Sequence, residues 1–86
     1  YIMTVITCKI SDKLFQGFEV YIDLNYIDTV DEICKQVHST LITHLETYKF
    51  ESLLDKAKNI HFHIHDYEMG QILMMEENAI IWICNH

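Results

Sequence analysis

The sequence predicts an α+β domain in which one long amphipathic helix is set against a sheet. Two observations carry this. Apolar residues at positions 30, 33, 34, 37, 41 and 45 follow the i, i+3, i+4, i+7 spacing of a single helical face. The segments on either side are rich in β-branched residues or alternate with period two, which is strand chemistry. With 86 residues there is room for one domain, residues 1–86, at the small end of what folds unaided.

Residues 2–10 read as a strand. Ile2, Ile6, Cys8 and Ile10 share one face, while Met3, Val5, Thr7 and Lys9 share the other. Neither face is strongly polar, which suits a central strand. Ser11-Asp12-Lys13 signals a turn. Residues 18–24 then alternate, with Phe18, Val20, Ile22 and Leu24 inward and Glu19, Tyr21 and Asp23 outward.

A short loop leads to the helix, residues 28–45. Thr29 and Glu32 have the spacing of a capping box, the hydroxyl taking the amide three residues on and the carboxylate reaching back. Asp28, Asp31 and Glu32 put negative charge at the positive end of the helix dipole. Phe50, Leu53, Leu54 and Ala57 have helical spacing, so a second, short helix is expected near 50–57.

Residues 60–65 alternate Ile60, Phe62 and Ile64 against His61, His63 and His65, which predicts a strand with an apolar inner face and a histidine outer face. A turn around Gly70, a short strand at 71–74 and a turn at 76–78 follow. The final strand, residues 79–84, is almost wholly apolar, as strands buried in mid-sheet are.

Composition excludes several functions. The net charge is −7, from 13 acids against six lysines and no arginine. A nucleic-acid surface needs a basic footprint, so neither nucleic acid nor an anionic membrane is an expected partner. A basic protein partner is what this field would draw in. Cys8, Cys34 and Cys84 are an odd number at wide spacing and sit in apolar patterns. They read as core thiols of a reduced, intracellular (cytoplasmic) protein. No run approaches the length of a membrane span, and no signal peptide is visible. The first residue, Tyr1, is not Met, as expected of a fragment of a larger protein.

The order of elements is hairpin, helix, short helix, then three strands with the last apolar and central. This resembles the ubiquitin-like β-grasp superfamily, with a mixed sheet of ββαβββ type. The closest local match is the strand 18–24 followed by Asp28-Thr29-Val30-Asp31-Glu32-Ile33. It looks like the Asp-Thr-Ile/Val after the second strand in ubiquitin, Ras-association domains and band-4.1-type first lobes. The chain departs from ubiquitin in ending Cys84-Asn85-His86 without a di-glycine tail, and in the short link before the last strand. A meander is an alternative order for the sheet. Ras-association domains meet an acidic surface with basic residues, whereas Lys9 and Lys13 here stand among acids.

His61-Phe62-His63-Ile64-His65 is the one constellation that invites a chemical reading. Alternate side chains of a strand share a face about 6.5–7 Å apart, a spacing at which two imidazoles can ligate one metal. Zinc would want a third ligand, with Cys84, His86 or Asp66 as candidates beside the histidine run His61, His63 and His65. The plainer reading is a solvated face. The run also resembles the histidine-triad nucleotide hydrolases, although Asp66 stands where their motif has an apolar residue. Gly17 and Gly70 stand alone, so no phosphate loop exists and no cofactor is implied. The acids at 28, 31 and 32 are explained by capping, and Glu76 and Glu77 by a solvated turn; neither set reads as a general-acid pair.

A sheet with one helix on it has one covered face and one open face. If Ile81 and Ile83 are inward, Trp82 joins Tyr21, Val5 and His63 on the open face, an apolar and aromatic cluster of the kind that binds a protein partner. The opposite register, with Ile80, Trp82 and Cys84 inward, fits the sequence equally well. The expectation is therefore a non-catalytic interaction module, with a metal or hydrolase site on His61, His63 and His65 as its competitor.

Overall fold

The computed structural model describes residues 5–76 and 78–85. Ile2, Met3, Glu77 and His86 lie outside the described residues. Four strands and three α-helices follow in the order β1 (Val5–Ile10), β2 (Glu19–Asp23), α1 (Val30–Thr47), α2 (Glu51–Lys58), β3 (Phe62–His63), α3 (Met69–Leu73) and β4 (Ile80–Asn85). A single 3-10 turn, Leu24–Tyr26, links β2 to the helical segment. The class is α+β, with one main helix against a mixed four-stranded sheet.

The sheet order is β2-β1-β4-β3. β1 pairs antiparallel with β2 and parallel with β4, and β3 pairs antiparallel with β4. Sequence neighbours therefore do not all pair, which rules out the meander. Both strands expected to be central, β1 and β4, are central.

The core lies between α1 and the sheet. Ile33, Cys34, Val37, Leu41 and Leu45 of α1 are buried, and Val30 packs at its margin. They meet Ile6, Cys8 and Ile10 of β1, Val20 and Ile22 of β2, and Ile81 and Ile83 of β4. The period-3.6 stripe and the period-2 alternation thus meet as expected.

Thr29 caps α1, its Oγ1 accepting from the Glu32 amide at 3.2 Å. The return half of the expected capping box differs. The Glu32 carboxylate takes the Thr29 hydroxyl itself, at 3.3 Å, and not the Thr29 backbone amide. At the other end, Lys49 adopts a left-handed conformation (φ 59°), and the Phe50 amide donates back to the Leu45 carbonyl at 3.0 Å. This is the helix-ending geometry that glycine usually supplies. His38 ties α1 to α2, with Nε2 2.7 Å from the Ala57 carbonyl, so this nitrogen carries the proton.

Two strand expectations fail. Residues 71–74 are not a strand, so there are four strands and not five among the described residues. Met69–Leu73 is a short helix, entered by a bond of 2.8 Å from the Glu68 amide to Gln71 Oε1. Helical rotation buries Ile72 and leaves Leu73 and Met74 outside. The strand at 60–65 shortens to two residues because only Cys84 and Asn85 are in register to pair with it. Its inner side chains, Ile60 and Phe62, are buried as predicted.

Candidate functional site

The strand pairing fixes what lies on the face turned away from α1. Directly opposed residues share a face. Glu19 of β2, Lys9 of β1 and Trp82 of β4 therefore form one row, and Tyr21, Thr7 and Ile80 form the next. Asp23 and Val5 begin a third row at one end, while Cys84 and His63 lie at the other.

The register with Ile81 and Ile83 inward is the one observed, both fully buried. Trp82 is 52% exposed, Tyr21 68% and Ile80 49%. The four candidate residues thus share one face but do not form one cluster. Tyr21 and Trp82 stand in adjacent rows. Val5, half-buried, flanks Tyr21, and His63, also half-buried, lies diagonal to Trp82 across β4. Four residue steps along β1 separate Val5 from the Trp82 row, about 13 Å.

Polar groups tie the face together. Lys9 Nζ sits 5.9 Å from the centre of the Trp82 ring and 3.3 Å from Glu19 Oε1. The Tyr21 hydroxyl donates to Glu19 Oε2 at 3.4 Å. Lys9 thereby positions the indole by a cation–π contact while its charge is balanced by Glu19. Ile80 and Lys9 were not singled out as site residues from sequence. The parity of residues 80 and 82 on one strand was the signal for Ile80 once Trp82 was placed outward.

The histidines are distributed differently from the metal reading. His63 and His65 stack, ring centroids 5.8 Å apart and planes 16° apart. Among the described residues, no three His, Cys, Asp or Glu side chains come together as a metal site would need. His61 and His63 instead line a cleft of about 210 Å³ beside α1, together with Asp31, Cys34, Lys35 and His38.

All three cysteines are free. Burial, then the neighbouring Cys34, pushes the Cys8 thiol up to about 12. Burial and Asp31 push Cys34 up to about 11, against a lowering hydrogen bond from the Ile64 backbone. Both thiols stay protonated at neutral pH and are poor nucleophiles. Cys84 is half-buried on the open face, where the Ser11 hydroxyl reaches its sulfur at 3.6 Å.

A second apolar concavity, of about 280 Å³, was not legible in the sequence. Leu14, Phe18, Leu41, His44, Phe50 and Leu53 line it, at the junction of the β1–β2 turn with the α1–α2 corner. His44 lies between the rings of Phe18 and Tyr48, at 5.1 and 4.8 Å.

No family model, curated protein or solved structure matches the chain. Among the described residues, no helix is long and apolar enough to cross a membrane.

Proposed function

We propose that this chain is a non-catalytic protein-interaction domain of the ubiquitin-like β-grasp type, working inside the cell and binding a protein partner through the open face of its sheet. The observation that carries the reading is the exposure of Trp82 and Ile80 on β4 and of Tyr21 on β2, across β1, on the sheet face turned away from α1. Large aromatic side chains bought at the expense of solubility are the usual anchors of protein interfaces. The order β2-β1-β4-β3, with parallel β1 and β4 under one main helix, supports the β-grasp assignment. The net charge of −7 favours a basic partner and disfavours nucleic acid.

The test uses wild type and Trp82→Ala as paired baits, both shown to be folded by circular dichroism. A captured protein is then purified and its affinity for each measured by calorimetry. Trp82→Ala should bind at least about tenfold more weakly, as loss of a central anchor does. Equal affinity for the two baits would place the interface elsewhere.

A further inference from the structure

The concavity between the β1–β2 turn and the α1–α2 corner is apolar within and bordered by positive charge. Leu41 is buried, Phe18 and Leu53 are half-buried, and Leu14 and Phe50 stand about half exposed at the mouth. The volume is about 280 Å³. An apolar cavity of about 150 Å³ already takes a benzene ring. Lys13 precedes Leu14 and Lys49 precedes Phe50. Lys56 lies three residues after Leu53, about 60° round α2 from it. Helical side chains lean over the turn N-terminal to them, which carries Lys56 back toward Leu53. All three lysines are exposed. Among the described residues the ion pairs are Lys9–Glu19 and Lys35–Asp31, so no carboxylate there answers these three charges.

The acids nearby point elsewhere or are engaged. Glu46 lies at least about 100° round α1 from Leu41, His44 and Leu45. Glu51 and Asp55 lie about 160° round α2 from Leu53. Asp12 accepts from the Leu14 amide at 2.8 Å through Oδ1 and from Asn85 Nδ2 at 3.0 Å through Oδ2. Backbone groups at the rim are engaged too. The Phe15 and Phe18 amides donate to the Asp12 and Phe15 carbonyls at 3.3 and 3.1 Å. The Phe50 amide donates to the Leu45 carbonyl, and the Phe50 carbonyl accepts from Leu54 at 2.9 Å. An extended peptide laid here would find no row of open backbone groups to pair with. A small molecule with an apolar body and one polar head needs none.

We propose that this concavity binds a medium-chain monocarboxylate, an aliphatic acid of about eight carbons. The tail lies among Phe18, Leu41 and Leu53 and is covered by Leu14 and Phe50. The carboxylate stays at the mouth, within the field of Lys13, Lys49 and Lys56. A single head charge is what the chain tolerates. Its net charge of −7 repels a polyanion such as a nucleotide, whereas the distant acids act weakly on one carboxylate beyond about 8 Å at physiological salt. The site goes beyond the open-face reading and shares no lining residue with that face.

The probe is octanoate, titrated into the 86-residue chain and followed by amide NMR and calorimetry. Binding should saturate at millimolar concentration or below and shift the resonances of Leu14, Phe18, Leu41, Phe50 and Leu53. Hexanoate should bind about tenfold more weakly, as the loss of two buried methylenes predicts. Octylamine, with the same tail and the opposite charge, should also bind at least about tenfold more weakly. Lys13→Gln, Lys49→Gln and Lys56→Gln together should erase the preference for octanoate over octylamine. Leu14→Glu, at the half-exposed rim, should weaken octanoate about tenfold with the circular dichroism unchanged. Titration without saturation, shifts confined to other residues, or equal affinity for octanoate and octylamine overturns the proposal. So does a short acidic peptide that shifts the same residues at a lower concentration than octanoate, which would assign the hollow to a protein. The comparison of octanoate with octylamine on the unaltered chain decides the matter even if a variant fails to fold.

Discussion

The two faces of the sheet are cut from the same strands, residue by alternate residue. On the side under α1, Ile6, Cys8, Ile10, Ile22, Ile81 and Ile83 are fully buried. On the other side Tyr21, Ile80 and Trp82 are about half exposed or more. The open face is thus not a polar counterpart of the core, and apolar content alone does not tell the faces apart. What separates them is the cover. A helix with a five-residue buried stripe lies over one face, and none of the three helices buries such a stripe on the other. Apolar atoms in the first set are removed from water by folding, whereas those in the second stay in contact with it.

Truncation should expose this difference most sharply. Ile81→Ala on the covered face should cost about 2–5 kcal/mol in chemical denaturation, as a core truncation that leaves a cavity. Trp82→Ala, its neighbour on the open face, should cost under about 1 kcal/mol. If the two losses were similar, the distinction between the faces would collapse. Val37→Ala probes the same core from the helix side, and roughly 1–3 kcal/mol is expected in the same measurement.

Alkali should act on the core through its two buried thiols. Cys8 and Cys34 have folded pKa values raised from 9.0 to about 12 and about 11. Below pH 9 both states keep these protons and stability is unaffected by them. Between about 9 and 12 the unfolded chain releases protons that the native chain retains, so stability falls as pH rises. A melting temperature that stays flat across that window would contradict the burial of these thiols. In native protein a thiol reagent should react quickly with Cys84 only, because the other two are buried.

Smaller effects test the helix that makes the difference. Thr29→Ala should lose about 0.5–2 kcal/mol by removing the acceptor for the Glu32 amide, and Thr29→Ser should be nearly silent. Lys49→Gly should gain about 0.5–1 kcal/mol, because glycine accepts the left-handed conformation that Lys49 now holds.

The parts that were legible in the sequence are those with long, unambiguous periods. Eighteen residues of α1 carry the apolar stripe four turns along, enough to exclude any strand reading. β2 is nearly as clear, with Glu19 and Tyr21 alternating against Val20 and Ile22. The register of β4 was not decidable, because Ile80, Trp82 and Cys84 are as apolar as Ile81 and Ile83 and only the position of α1 chooses between them. Residues 71–74 were misread because three apolar residues in a row, Ile72 to Met74, resemble a short buried strand. Methionine, glutamine and leucine are better helix formers, and the Glu68/Gln71 spacing marked the start. Phe15, buried beside the turn, was missed because its placement depends on the Asp12 side chain accepting the Leu14 amide, a local bond with no periodic trace.

The parallel pairing of β1 with β4 bears on how the chain acquires its fold. Its two members are drawn from opposite ends of the described segment, and both α1 and α2 must be laid down between them. The hairpin β1–β2 can form early, but a two-stranded ribbon is only marginally stable by itself. Among the described residues β3 pairs with β4 alone, and β1 needs β4 to complete its second side. β4 is therefore the strand whose arrival completes the pairing of both. Such long-range closure slows folding relative to a helical protein of equal size. Until Ile80 to Asn85 has emerged from the ribosome, the bonding edge of β1 stays open to any other strand it meets.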